Sequence, residues 1–235
     1  RAIAVSGTDV YAGGLFTQAG SASASHIAKW DGGSWAALGA GVDGTVYAIV
    51  TSGTSVYAGG TFINAGESPA ASIALWNGSS WSALGTGTDG YVTSLSLDGT
   101  DLYAAGEFTE AGESAASSVA KWDGADWSAM GSGLGEDASA LAMKGTELLV
   151  AGAFGTAGGH QANHVAIWDK AASEWPAMGS GSGGSIHTIA VAGTDLYVGG
   201  SFTDIGGIPA SRIAKWDGAK WSALGEGRDD VVKAI

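Results

Sequence analysis

The sequence predicts an all-β protein built from five copies of one four-stranded antiparallel unit of about 46 residues. Three observations carry this. Trp30, Trp76, Trp122, Trp168 and Trp216 are spaced 46, 46, 46 and 48 residues apart. Trp35, Trp81, Trp127, Trp175 and Trp221 repeat the pattern, and all five Phe (Phe16, Phe62, Phe108, Phe154 and Phe202) keep the same phase. The third observation is composition. With 41 Gly in 235 residues helix is disfavoured, because an interior Gly costs a helix about 1 kcal/mol relative to Ala. Ten Trp and 45% apolar residues are too many for a disordered linker.

The fifth copy shows each element most plainly. Ile186, Thr188, Ile189, Ala190 and Val191 form a short run of strand-like composition, and Ala192-Gly193-Thr194-Asp195 reads as a turn. Leu196-Tyr197-Val198 is a second strand ending at Gly199-Gly200, followed by a longer loop. Arg212-Ile213-Ala214-Lys215-Trp216 alternates as a half-buried strand does. Asp217-Gly218 makes the next turn, and Trp221-Ser222-Ala223-Leu224 is the fourth strand. A sheet of this kind has two apolar faces and cannot bury both alone. Stacking copies around an axis covers them, so the expected fold is a five-bladed β-propeller of four-stranded antiparallel blades, one domain over residues 1–235. The Trp and Phe are read as core packing between blades, with sugar stacking as the alternative for the first Trp series.

The ends share a phase. Val232-Lys233-Ala234-Ile235 aligns with Val46-Tyr47-Ala48-Ile49, as does Arg1-Ala2-Ile3, so five periods leave a three-residue overlap. A closed five-bladed ring and a window of a longer tandem array both fit, and near-exact periodicity favours the ring. With no initiator Met and no signal peptide, the chain reads as a mature protein or a piece of a longer multidomain one.

Several features together resemble the kelch repeat. Gly13-Gly14, Gly59-Gly60 and Gly199-Gly200 match its double glycine, while Ala105-Gly106 and Ala151-Gly152 keep only the second. Trp168-Asp169 and Trp175 have the kelch spacing of six intervening residues, whereas the other copies have four and Trp replaces the usual Tyr. More closely, VYAGG-x-F-x-x-AG followed by IAKWDG-x-x-WSALG resembles the repeats of Rax2-type cortical polarity proteins and of large bacterial surface and secreted proteins. The resemblance spans essentially the whole chain and implies the propeller fold, not an activity. A WD-repeat reading shares the Trp-Asp pair but lacks the Gly-His dipeptide.

Charge and composition narrow the function. A net charge of −13 with ten Lys and Arg excludes nucleic acid as the expected partner. The absence of Cys excludes a disulfide scaffold, thiolate metal sites and the Cys-linked copper centre of galactose-oxidase-like kelch enzymes. No apolar run is long enough to insert in a membrane as a helix. Few Lys, much Ser, Thr and Gly, and strong acidity fit an extracellular or cell-surface setting.

In this topology the loops joining second to third strands (residues 17–25 in the first copy) and fourth to first strands (residues 40–45) share one face. They vary most and carry Asp43, Glu67, Asp89, Glu110, Glu113, Glu136, Asp137, Asp204, Glu226, Asp229 and Asp230. On the opposite face Asp9, Asp31, Asp101, Asp123, Asp195 and Asp217 read as turn formers. His26, Ser72, Ser118, His164 and Arg212 are equivalent positions just before the third strand. With Glu67 and Glu113 they are the candidate ligand-binding residues. His160 and His164 have the spacing of a helical zinc pair, but a Gly-rich loop removes that meaning and no third ligand is apparent. His187 reads as a strand residue near the axis. No catalytic residue, metal ligand set or required cofactor is expected, Ca²⁺ held by loop carboxylates being the one cofactor considered. The expected function is a non-catalytic binding or scaffolding propeller that recognises protein or carbohydrate on its acidic, loop-rich face. A glycosidase-like enzyme using loop carboxylates and a purely structural spacer are the alternatives.

Overall fold

The computed structural model describes residues 1–176 and 178–235, which contain strands and turns but no helix. Copies 1, 2, 3 and 5 each form a four-stranded antiparallel sheet in sequential order. In the first copy the strands are Ala2–Ser6, Asp9–Gly13, Ile27–Trp30 and Trp35–Ala37; in the fifth they are Ile186–Ala192, Asp195–Gly200, Ile213–Trp216 and Trp221–Ala223. The strand boundaries expected for the fifth copy are met to within a residue or two. The long loop also holds structure that alternation did not show: a two-stranded ribbon in every copy, such as Asn64–Ala65 with Ser68–Pro69.

Among the described residues the fourth copy gives a three-stranded sheet, Ala138–Lys144, Glu147–Gly152 and Val165–Asp169, with a single bridge between Asp169 and Glu174; the expected fourth strand runs into position 177, outside the described residues. Two residues are inserted in the turn here, and Ser173 takes a positive φ of 55°. Pro176, standing where the other copies have Ser or Ala, has no N–H to donate to the ladder. The Trp pair survives this change, with ring centroids 5.0 Å apart against 5.2–5.6 Å elsewhere.

The described residues form two compact units, residues 1–115 with 121–128, and 116–120 with 129–235. Within them, copies are joined by three kinds of contact: an indole latch at three junctions, a seated Val at two and a backbone strap at four, the Nε1–H of Trp221 being buried without an acceptor. The first is an indole latch. Trp81, Trp127 and Trp175 donate Nε1–H to the carbonyls of Leu38, Leu84 and Met130 in the preceding copy, at 2.7, 2.8 and 2.9 Å. The second is a Val seated on a Gly: a Cβ on Gly13 or Gly59 would lie 2.5 Å from Val46 or Val92 of the following first strand, which is why the double glycine is needed. The third is a backbone strap, in which Gly66, Gly112, Gly158 and Gly206 of the ribbons donate to Gly41, Gly87, Gly133 and Gly181 of the preceding linker. The strap leaves no room for a side chain, since a Cβ on Gly41 would sit 2.2 Å from the Ser25 carbonyl.

The core follows from these contacts. In the first unit Ile27, Val46, Val56, Phe62 and Ala74 are buried together with Trp81, and in the second Ile186, Leu196, Val198, Phe202 and Ala214 with Trp221. The Trp of the fourth strands in copies 2 to 5 are at most 9% exposed, which places them in the core, whereas Trp30, Trp35, Trp76, Trp122 and Trp216 are half-buried.

Candidate recognition face

His26, Ser72, Ser118, His164 and Arg212 occupy one structural position on five different sheets. All five are left-handed, with φ of 64°, 62°, 62°, 75° and 63°. For residues with a Cβ this conformation is unfavourable and persists only where surrounding bonds hold it. Those bonds are visible. The N–H of His26, Ser72, His164 and Arg212 donates to the carbonyl of Phe16, Phe62, Phe154 and Phe202, at 2.7–2.9 Å. Their own carbonyls accept from the second glycine of the second strand, Gly14, Gly60, Gly152 and Gly200. Phe62, Phe154 and Phe202 are therefore each fixed for two reasons, a buried ring and a carbonyl, which explains why they share a phase with the Trp.

The backbone is constant along this row while the side chains differ. Ser72 and Ser118 are buried, so solvent reaches chiefly His26, His164 and Arg212. Nδ1 of His164 donates to the Ser182 carbonyl at 2.8 Å, and Arg212 reaches the Arg228 carbonyl at 3.3 Å. The buried Nδ1 of His26 has no such acceptor.

The acidic residues of the same edge divide into two groups. Asp43 and Asp89 are locking groups. Asp43 accepts from the N–H of Ile63 and Asn64 and from the Asn64 side chain; Asp89 accepts from the N–H of Thr109 and Glu110 and from the Thr109 hydroxyl. Partial burial pushes both carboxyls up, but these hydrogen bonds outweigh it and hold them below the ordinary range. In the fifth copy Gly183 stands at this position, and the Asp204 carboxylate fills the space its side chain would take. Glu67 and Glu113 stand instead at the ribbon turns, exposed. Glu113 borders a cleft of about 400 Å³ with Trp122, Asp126, Ser114 and Thr86. The structure places Glu67 and Glu113 on ribbons and the left-handed row at the entries to the third strands.

The opposite edge corrects half of the turn-former reading. Asp31, Asp123 and Asp217 do cap their turns, each accepting from two backbone N–H groups, which lowers their pKa. Asp9, Asp101 and Asp195 instead pair with Lys29, Lys121 and Lys215 across the sheet, at 2.6, 3.3 and 2.6 Å. Lys sits two residues after the start of the third strand and Asp opens the second, and antiparallel register brings the two side by side.

One feature left no trace in the sequence pattern. The first strands of copies 2 to 5 each carry a β-bulge, at Tyr47, Thr93, Ser139 and His187. The ladder register shifts at each of these residues, and each bears a hydroxyl or an imidazole; the Thr93 hydroxyl donates to the Ala105 carbonyl at 3.2 Å. The guanidinium of Arg1 lies 4.9 Å from the centre of the Tyr47 ring. Burial and the Lys233 charge lower the pKa of His187. Among the described residues no three His, Asp or Glu side chains come together to hold a metal ion, and no helix is long and apolar enough to cross a membrane.

Against this geometry the comparison with known families is decisive. The model of the Rax2 C-terminal β-propeller domain matches residues 2–143. The chain belongs to the Rax2 C-terminal β-propeller family. The repeats of such a propeller account for the strap at every described junction within the two units, the latch at three of them and the seated Val at two. In three dimensions the chain is similar to the computationally designed protein Ika8, with a TM-score of 0.68 at 16% identity over 99% of this chain and 63% of that one. It thus spans under two thirds of the length of that protein. The designed protein Ika4 matches with a TM-score of 0.50 at 14% identity, over 75% of this chain and 92% of that one. At these identities the likeness is one of fold. No curated protein matches the sequence.

Proposed function

We propose that this chain is a non-catalytic recognition or scaffolding propeller of a secreted or cell-surface protein, engaging a protein or glycan partner along its third-strand entries. The observation that carries this reading is the left-handed row. Five positions share one strained backbone conformation, held at His26, Ser72, His164 and Arg212 by one set of bonds, yet they present His, Ser, Ser, His and Arg. A frame that is held constant while its side chains diverge serves to display a pattern. Membership of the Rax2 propeller family supports a surface or scaffolding role. The heterogeneity of the row favours one protein partner over five equivalent sugars.

The five repeats are read as the blades of one ring and one domain. In a closed ring Trp35 would gain the Leu224 carbonyl as Trp81 has that of Leu38. Val232 lies over Gly199 and donates to the Gly200 carbonyl, as Val46 lies over Gly13 and donates to Gly14. Closure with five blades therefore requires residues 231–235 to yield that seat to the first strand. Small-angle X-ray scattering reads the difference, a closed ring giving the smaller radius of gyration and an open arc the larger.

A carbohydrate reading has one specific support, the cleft where Glu113 and Asp126 flank Trp122. A glycan array followed by isothermal titration separates the readings. Saturation near five sugars per chain marks a lectin, and turnover of a glycoside lost in Glu113→Gln marks an enzyme. The recognition reading expects neither.

A further inference from the structure

We propose that the groove between the first and second copies, at the turn edge opposite the left-handed row, binds one or two neutral sugar rings. The groove lies within the first compact unit and encloses about 590 Å³, within the roughly 300–1,000 Å³ typical of small-molecule sites. One wall is Asp9, Tyr11, Lys29 and Asp31; the other holds Thr54 and Trp76.

Its openness has a cause in the sequence. The side chains of Lys29 and Asp9 are 36% and 28% exposed, and a charged pair that is dehydrated loses more than its Coulomb attraction returns. The neighbouring sheet therefore cannot close over this pair as it closes over an apolar surface. The second copy has Ser55 and Leu75 at the equivalent positions, so the polar wall is a choice made copy by copy and not a demand of the fold.

The chemistry of the walls selects the guest. The indole of Trp76 offers an apolar flank for the C–H face of a pyranose. Lys29, with one N–H directed to Asp9, has further donors; Asp9 and Thr54 supply acceptors, and the Thr54 hydroxyl can also donate. Asp31 opposes an anionic guest, and Lys29 opposes a cationic one. A neutral polyol satisfies both without displacing the ion pair. This site is independent of the recognition reading, because it lies at the other ends of the strands and shares no residue with the row.

The test is a ¹H–¹⁵N NMR titration of the whole chain with four probes: the methyl glycosides of glucose, galactose and mannose, and N-acetylglucosamine. At least one should give saturable shifts at Gly53, Thr54 and Gly78, with a dissociation constant on the order of millimolar. The double variant Asp9→Ser/Lys29→Leu installs the residues of the second copy and should weaken binding about tenfold or more. Lys29→Met, which keeps the aliphatic stem, gives the same readout if the double variant does not fold. His26→Ser/His164→Ser/Arg212→Ser should bind the sugar as the parent does. The proposal is overturned if no probe gives saturable shifts, if the shifts map to the Trp122 cleft, or if folded groove variants bind undiminished.

Discussion

A Ser or His held at positive φ gives up roughly 1–2 kcal/mol relative to a relaxed backbone. Ser72 is buried in that conformation, so relieving it has a measurable sign. Ser72→Gly should stabilise the protein by up to about 1 kcal/mol, with some of the gain offset by unfolded-state entropy, while Ser72→Val should destabilise it by at least as much. Equilibrium urea denaturation reads both. Asp43 and Asp89 make the complementary case in charge. Their folded pKa values are depressed, so their contribution is complete above the ordinary carboxylate pKa of about 3.9 and is lost as pH falls through the folded values. Removing either carboxylate as Ala should cost about 1 kcal/mol at pH 7, the low end for charged hydrogen bonds because water reaches both groups. The gap between parent and Asp43→Asn/Asp89→Asn melting temperatures should narrow as pH is lowered from 5 to about 3. Because their oxygens are already engaged by backbone N–H groups, EDTA followed by Ca²⁺ should leave the melting temperature unchanged.

At the scale of the element, the junction between copies is the unit of stability. Each latch buries an indole and adds a second donor to a carbonyl that also accepts a backbone N–H, Gly41 to Leu38 at 3.0 Å, so Trp81→Phe removes one buried hydrogen bond and part of the indole packing. The expected cost is about 1 kcal/mol in denaturant titration. In the proposed ring Trp35→Phe should cost as much as Trp81→Phe, and a clearly smaller loss would mark an open arc. The strands and this junction were legible in the sequence because Trp, Phe and paired Gly are rigid requirements: each fills or vacates a space that only its own type fits. The ribbons and bulges were not legible. A ribbon of two-residue strands is too short for alternation to register, and a bulge adds one residue without changing composition. In the fourth copy both the two-residue insertion and Pro176, which has no N–H for a ladder, are visible in the sequence.

For the whole molecule, the repeat length and Gly and Trp content carried the fold, but the site emerged only in outline. The equivalence of His26, Ser72, Ser118, His164 and Arg212 could be aligned from the sequence; their shared left-handed backbone and the burial of the two serines required coordinates, because both depend on the Phe carbonyls facing them. Glu67 and Glu113 share one position in their ribbons, yet whether either touches a ligand depends on clefts built by neighbouring copies. The groove at Asp9 and Lys29 was hidden because its two walls come from different copies. The central claim is recognition through the accessible members of the row, and one comparison tests it most directly. His26→Ser/His164→Ser/Arg212→Ser uses the residue that the second and third copies already carry, so it should melt as the parent does. Affinity capture from surface and secreted fractions with parent and variant, quantified by mass spectrometry, should then show a partner retained by the parent and lost by the variant. Identical capture profiles from two equally folded proteins would contradict the account.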